Sequence, residues 1–385
     1  MSTTGLAAPK PQRLISLDVA RGITLAFMIM VNNSSAGSWS FMEHAAWNGL
    51  TPTDLVFPTF LFIVGISTVF ATEARLAKGA APAELAKHTV IRAVLLIFFG
   101  WFVNNYPFFH WEHMRFYGVL PRIGICYLAV SLFYLADKSI RTKAALLVAC
   151  LLGYWALVTL VPVPGAGLPG RDFPILDGTR NIVNYVDQQV MPGHLYEDWT
   201  THNLRDPEGL LSDIPALGTA LLGMITGIAL RKNASVNKKA IGLAIGCIAL
   251  LALGYIWSIW LPLNKKMWTS SYVLVAAGWS LALLAFCFWA VEVKNWRKGW
   301  TFPWLVFGSN AIVAYLISEV LFSTVNLIHW QQNGHLVTPG EWLFSNIFAH
   351  IPDPGWAAFG WSVFVAALCF IPVLVLYKKK IFVKI

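Results

Sequence analysis

Of the 385 residues, 57% are hydrophobic and only 12% are charged, against roughly 25% charged in an ordinary soluble protein, which excludes a typical soluble domain. The net charge of +9 comes from short basic clusters set between apolar runs rather than from one basic face. It reads as a membrane-topology signal and argues against a nucleic-acid partner.

The first apolar run, 14–34, follows Lys10 and Arg13 and has the outline of a secretory signal. Asp18 and Arg21 interrupt it and Ser34-Ser35-Ala36 is a poor cleavage site, so a retained first helix is expected. Runs near the bilayer-crossing length of about 20 residues follow at 54–76, 88–107, 118–137, 142–163, 212–231, 239–261, 270–293, 302–324 and 358–378. The fold class is therefore all-α: a polytopic transmembrane helical bundle of ten helices, or eleven if 340–350 adds a short one, in one domain over 1–385. All five cysteines (Cys126, Cys150, Cys247, Cys287, Cys369) fall within apolar runs without a CxxC pair, which predicts free thiols and no metal site.

Alternate connections are basic: Arg75, Lys78 and Lys87; Lys138, Arg141 and Lys143; Arg231, Lys232, Lys238 and Lys239; Lys294, Arg297 and Lys298; Lys378 to Lys380. The positive-inside rule then puts both termini in the cytoplasm and the long segments 35–53, 164–211 and 325–357 on the far side. Segment 164–211 is too long for a turn and is expected to cover the bundle mouth.

Polar groups within spans are costly and usually functional. Asp18 and Arg21, three residues apart, share a helix face and can pair. Asn32 lies about 21 Å further along the same helix, so one helix can meet a ligand at both membrane faces. Asn32 also suits a plain interhelical hydrogen bond. The stretch from Glu43 to Asp54 sets His44, Trp47, Asn48, Thr51 and Asp54 within a dozen residues at the far-side mouth. A histidine there can take a proton from a nucleophile or accept an acyl group itself, although residue chemistry alone does not single out His44 among nine histidines. Arg122, at the start of the fourth span, calls for a carboxylate such as Asp54 to hold it, or else snorkels to the interface. Asn104, Asn105, Asn310 and Glu319 complete the intramembrane polar set. His110-Trp111-Glu112-His113 lacks the HExxH spacing of a metal site.

Four pieces, Arg13-Leu14-Ile15-Ser16-Leu17-Asp18-Val19-Ala20-Arg21-Gly22, Met30-Val31-Asn32, His44-Ala45-Ala46-Trp47-Asn48-Gly49-Leu50-Thr51 and Asp54-Leu55-Val56-Phe57-Pro58, closely resemble the opening of the heparan-α-glucosaminide N-acetyltransferase family. Gly118 to Arg122, Asp206 to Ser212, Trp268 to Tyr272 and Phe307 to Ile312 are similar to bacterial members. The resemblance implies transfer of acetyl from cytoplasmic acetyl-CoA to an amino sugar across the membrane. It carries the catalytic histidine onto His44 and the active-site asparagine onto Asn32, with Asn33 competing because one extra residue separates asparagine from histidine. Asp54, Arg122, Asn48 and Trp47 are then candidate substrate-binding residues, and Asp18 and Arg21 candidates for the CoA end.

The expected partners are acetyl-CoA, an amino sugar or glycan and the lipid bilayer, in a bacterial inner membrane; a homodimer stays open. Two other readings stand beside this one: a sugar or amino-sugar transporter without catalysis, and an O-acyltransferase acting on a cell-envelope glycan.

Overall fold

The computed structural model describes residues 14–196, 205–332 and 334–383; Lys10 and Arg13 lie outside the described residues. The principal helices are α1 (Ile15–Asn32), α2 (Val56–Leu76), α3 (Pro82–Asn105), α4 (Val119–Ala136) and α5 (Ile140–Leu160), then α6 (Ile182–Val190), α7 (Asp213–Arg231) and α8 (Val236–Trp257). They continue as α9 (Ser270–Phe288), α10 (Phe302–Ser309), α11 (Ala311–Val325), α12 (Pro339–Leu343) and α13 (Pro354–Lys378). Among the described residues nine helices are long and apolar enough to cross a membrane, and ten if α10 and α11 count as one bent span. Helix α9 runs on through a π-helical turn, Trp289–Val293. The short element expected near 340–350 is α12 followed by a π-turn, Phe344–Phe348. A two-stranded hairpin, β1 (Trp330–Gln332) with β2 (His335–Val337), interrupts the segment before it.

The bundle is apolar on its outer surface as well as in its core. Helices α3 and α8, 22% and 11% buried over their apolar windows, turn most of their surface outward, where lipid tails satisfy it as well as protein would. Helices α1, α2, α7 and α9 form the centre, each more than 60% buried. Their close approach depends on small residues. A Cβ on Gly65 of α2 would lie 2.0 Å from the Ala220 carbonyl of α7, and one on Gly223 of α7 would lie 2.0 Å from the Phe62 carbonyl of α2. Backbone therefore touches backbone on both sides of that contact. Gly22 of α1 and Gly308 of α10 do the same, against Trp304 and Asp18.

The expected ninth span, 302–324, is corrected by the structure: it breaks at Asn310 and its halves meet at 82°. Asn310 has φ −131° and ψ 46°, outside the helical region. Its side chain donates to the Ile381 carbonyl at 3.1 Å and accepts from the Val383 amide at 2.9 Å. An amide able to satisfy a passing chain end in both directions compensates for the interrupted helix ladder.

The basic connections that follow α2, α4 and α7 meet at one end of the bundle. There Glu73 receives Lys138 at 2.7 Å, Arg231 at 3.3 Å and the Tyr134 hydroxyl at 3.1 Å. Segments 33–55, 106–118, 161–196, 205–212 and 258–269 touch one another at the opposite end, and α6 lies within the third of them.

Candidate active site

The site grows from a short turn ahead of α2. Thr51 donates its amide and its hydroxyl to Asp54 Oδ2, both at 3.0 Å, and Pro52 supplies the preset φ of a first helical position. The Ala45 amide adds a third donor at 3.2 Å, and the Tyr272 hydroxyl at the start of α9 donates to the Asp54 carbonyl at 2.6 Å. Asp54 is thus fixed from its own loop and from across the bundle. Its remaining oxygen, Oδ1, lies 2.7 Å from Nδ1 of His44. The carboxylate is 1% exposed while the imidazole is 48% exposed, so a buried acid orients a ring that faces outward.

A third group completes the cluster. Lys265 Nζ stands 3.1 Å from His44 Nδ1, 3.3 Å from Nε2 and 3.8 Å from Asp54 Oδ1. Burial pulls the Lys265 ammonium below the usual lysine range, while the charges of Glu208 and Asp54 oppose that fall. Gly49, at φ +121°, donates its amide to the Leu263 carbonyl at 2.8 Å, and Asn264 donates to Asn48 Oδ1 at 3.1 Å. These two bonds pin the histidine loop to the lysine loop.

Arg122 departs from expectation. Asp54 does not hold it; Asp213 does, Oδ1 accepting from Nε at 2.7 Å, with the Gly209 carbonyl at 3.0 Å, the Ser212 hydroxyl and the Trp268 ring, 5.0 Å away, completing its shell. Asp54 is already occupied by His44 and Lys265, and at 1% exposure Arg122 presents no free edge. Beside it Arg115 bridges Asp206 at 2.6 Å and Glu208 at 2.5 Å. Burial alone would raise Glu208, but Arg115, Arg122 and Lys265 together hold its carboxyl below the usual range. This ionic layer locks segment 205–213 over the mouth.

Of the other expected residues, Trp47 donates to the Leu176 carbonyl at 2.7 Å and lies under the Arg205 guanidinium at 5.0 Å, which anchors the covering segment 161–196. Asn32 is exposed and donates to Glu319 of α11 at 3.3 Å. Asn33 instead turns back on its own helix, to the Ile29 carbonyl at 2.8 Å. Asp18 and Arg21 pair at 3.1 Å, and Arg21 also reaches Ser67 at 2.8 Å, but they sit toward the basic end of α1, away from the histidine. Lys265 was missed by sequence reasoning. The one signal that singles it out is that Lys265-Lys266 is a basic pair on the side otherwise poor in Lys and Arg.

Two cavities are lined by residues other than His44, Asp54 and Lys265. One of about 370 Å³, almost wholly apolar, lies between α1, α9 and the beginning of α2, bounded by Phe27, Pro52, Thr59 and Trp279. The other, about 300 Å³, is at the histidine end, lined by Asn104, Tyr106, His113, Arg115 and Tyr196 among others.

Fold and site define a multi-pass membrane bundle with a carboxylate-oriented histidine at one mouth. Residues 13–164 match the family profile described as "Heparan-alpha-glucosaminide N-acetyltransferase, catalytic". The heparan-alpha-glucosaminide N-acetyltransferase of Homo sapiens is 31% identical over 420 residues, covering 97% of this chain and 60% of that protein; the Mus musculus one is 28% identical over the same extent. The match to the catalytic profile covers the first part of this chain, and the chain spans 60% of the length of these relatives.

Proposed function

We propose that this chain transfers an acetyl group from acetyl-CoA to the amine of an amino sugar, with His44 as the group that removes the amine proton or carries the acetyl. The observation that carries this reading is the 2.7 Å contact between His44 Nδ1 and a buried carboxylate. Asp54 favours the tautomer with its proton on Nδ1, which leaves the Nε2 lone pair for the reaction. An exposed imidazole held by a buried acid is an arrangement for acid–base or acyl chemistry.

Asn32, the neighbour of Glu319, is the candidate to steady the thioester carbonyl. The apolar cavity beside α1 and α9 suits the extended arm of CoA, and the basic end near Asp18 and Arg21 suits its anionic nucleotide. The second cavity, with aromatic faces and amides, suits a sugar ring. Asp54 and Arg122 act in this reading by positioning, because both are buried and saturated with partners. Trp47 and Asn48 hold the covering loops near the acceptor. The same reading puts the protein in a bacterial inner membrane with His44 at the periplasmic mouth, since the basic connections lie at the other end.

The test is acetyl-CoA turnover by the purified chain in detergent, with and without glucosamine, for wild type and His44→Ala. Glucosamine-dependent CoA release that disappears in His44→Ala supports the reading. Turnover that is absent with every amino sugar and O-linked glycan acceptor, together with sugar uptake by vesicles lacking acetyl-CoA, turns it toward a transporter.

A further inference from the structure

Lys265 is the least satisfied charged group of the cluster. An ammonium has three protons to donate, and its hydrogen-bonding partner among the described residues is the ring of His44. Asp54, at 3.8 Å, is an ionic neighbour beyond hydrogen-bond range. With Nδ1 donating to Asp54, only Nε2 remains to receive Lys265, and a substrate approaching Nε2 must displace it. The displaced ammonium then stands beside the reacting carbon, mostly shielded from solvent with its side chain 17% exposed.

The loop presenting it is rigid. The Met267 amide donates to Asn264 Oδ1 at 2.8 Å, Trp268 donates to the Lys265 carbonyl at 3.0 Å and Thr269 to the Asn264 carbonyl at 3.1 Å. A fixed cation near a site of developing negative charge needs no reorganisation when that charge appears.

We propose that Lys265 is a catalytic residue, its ammonium donating to the oxyanion that forms when the acetyl thioester is attacked beside His44. The inference rests on the acetyl-transfer reading. The attacking amine forms the new C–N bond, the carbonyl π pair moves onto oxygen facing Lys265, and the amine proton passes to Nε2. Collapse of the oxyanion breaks the C–S bond, and the proton on Nε2 goes to the departing thiolate. If Nε2 itself attacks first, the same oxygen becomes anionic in the same place, so the role of Lys265 holds for either route.

The experiment compares Lys265→Met and Lys265→Arg with wild type as full chains in detergent, measuring kcat and the KM for acetyl-CoA. Stabilisation by acetyl-CoA in thermal unfolding reports folding and binding. Loss of one oxyanion donor lowers kcat roughly 10²–10³-fold, so Lys265→Met is expected in that range with KM within about threefold. Lys265→Arg keeps charge and donors and is expected to recover at least tenfold of the loss. A Lys265→Met enzyme retaining a third of wild-type kcat, or one whose loss lies in KM, overturns the assignment. Should Lys265→Met not fold, Lys265→Arg decides: kcat within tenfold of wild type supports the proposal, and a loss beyond a hundredfold overturns it. A wild-type protein that shows no acetyl-CoA turnover overturns the acetyl-transfer reading and this inference together, whereas turnover indifferent to Lys265 overturns only the latter.

Discussion

Asp54 Oδ1 approaches His44 Nδ1 to 2.7 Å while its other oxygen accepts three donors from Ala45 and Thr51. One carboxylate therefore braces the loop and holds the histidine ring. The two duties separate in Asp54→Asn, where the side-chain oxygen can still cap the turn but the charge that favours Nδ1–H is gone. With a comparable acid removed from a histidine-based site, kcat falls roughly 10⁴-fold. Asp54→Asn is expected to lose at least 10²-fold in kcat while its thermal unfolding stays near wild type. Steady-state kinetics and a melting curve on the same preparation check both halves, and an active Asp54→Asn enzyme removes the carboxylate from the mechanism.

Asn32 and Asn33 are adjacent, but their side chains go separate ways, one to Glu319 across the helix interface and one to its own helix. Only Asn32 is exposed at the mouth. Asn32→Ala is expected to lower kcat roughly 10²–10³-fold, the range for one lost oxyanion donor, and Asn33→Ala less than about threefold. Parallel assays of the two alanine variants decide the matter; the opposite ranking would move the active-site asparagine to position 33.

Most of the helical architecture was legible because long apolar runs punctuated by charge have few alternatives in a bilayer. The break at Asn310 was not, since one amide inside an apolar run leaves hydropathy intact, and its capture of the tail at Ile381 and Val383 is a contact between distant segments. The same limit explains the site. His44 and Asp54 are ten residues apart and share one motif, whereas Lys265 arrives from a loop 221 residues away. Arg122 was matched with a carboxylate such as Asp54, when its partner Asp213 begins a later helix. Chain distance carried no information about either contact.

The α2–α7 seam makes a test of the fold that leaves the chemistry alone. At Gly65 an added methyl would fall 2.0 Å from the Ala220 carbonyl, and backbone cannot yield as a flexible side chain would. Gly65→Ala must push the central helices apart, and overpacking of this kind costs roughly 1–3 kcal/mol or more. A clearly lowered melting temperature is expected, while Gly153→Ala, which meets nothing within 4 Å on α5, should melt like wild type. Equal melting of both variants would mean that α2 and α7 do not pack this closely.

Asp187 of α6 links the covering segment to pH. It is fully buried, accepts from the Leu210 amide at 2.9 Å through Oδ1, and its Oδ2 has no hydrogen-bond partner among the described residues. Burial, reinforced by the charges of Asp206 and Asp213 against that of Arg122, pushes its carboxyl up to about 7. The folded state therefore keeps a proton that the unfolded chain releases near pH 4. Between those values the unfolded state binds fewer protons, so this residue's contribution to stability falls as pH rises, by up to about 1.4 kcal/mol per unit, and levels off above pH 7. Asp187→Asn has no proton to lose and keeps an oxygen for Leu210. Other carboxyls titrate in both proteins and cancel in the comparison. The difference in melting temperature, variant minus wild type, is expected to be more positive at pH 8 than at pH 5, followed by tryptophan fluorescence on heating in detergent. A difference independent of pH would show that Asp187 is ionised in the folded protein and that its unpaired oxygen has found a donor.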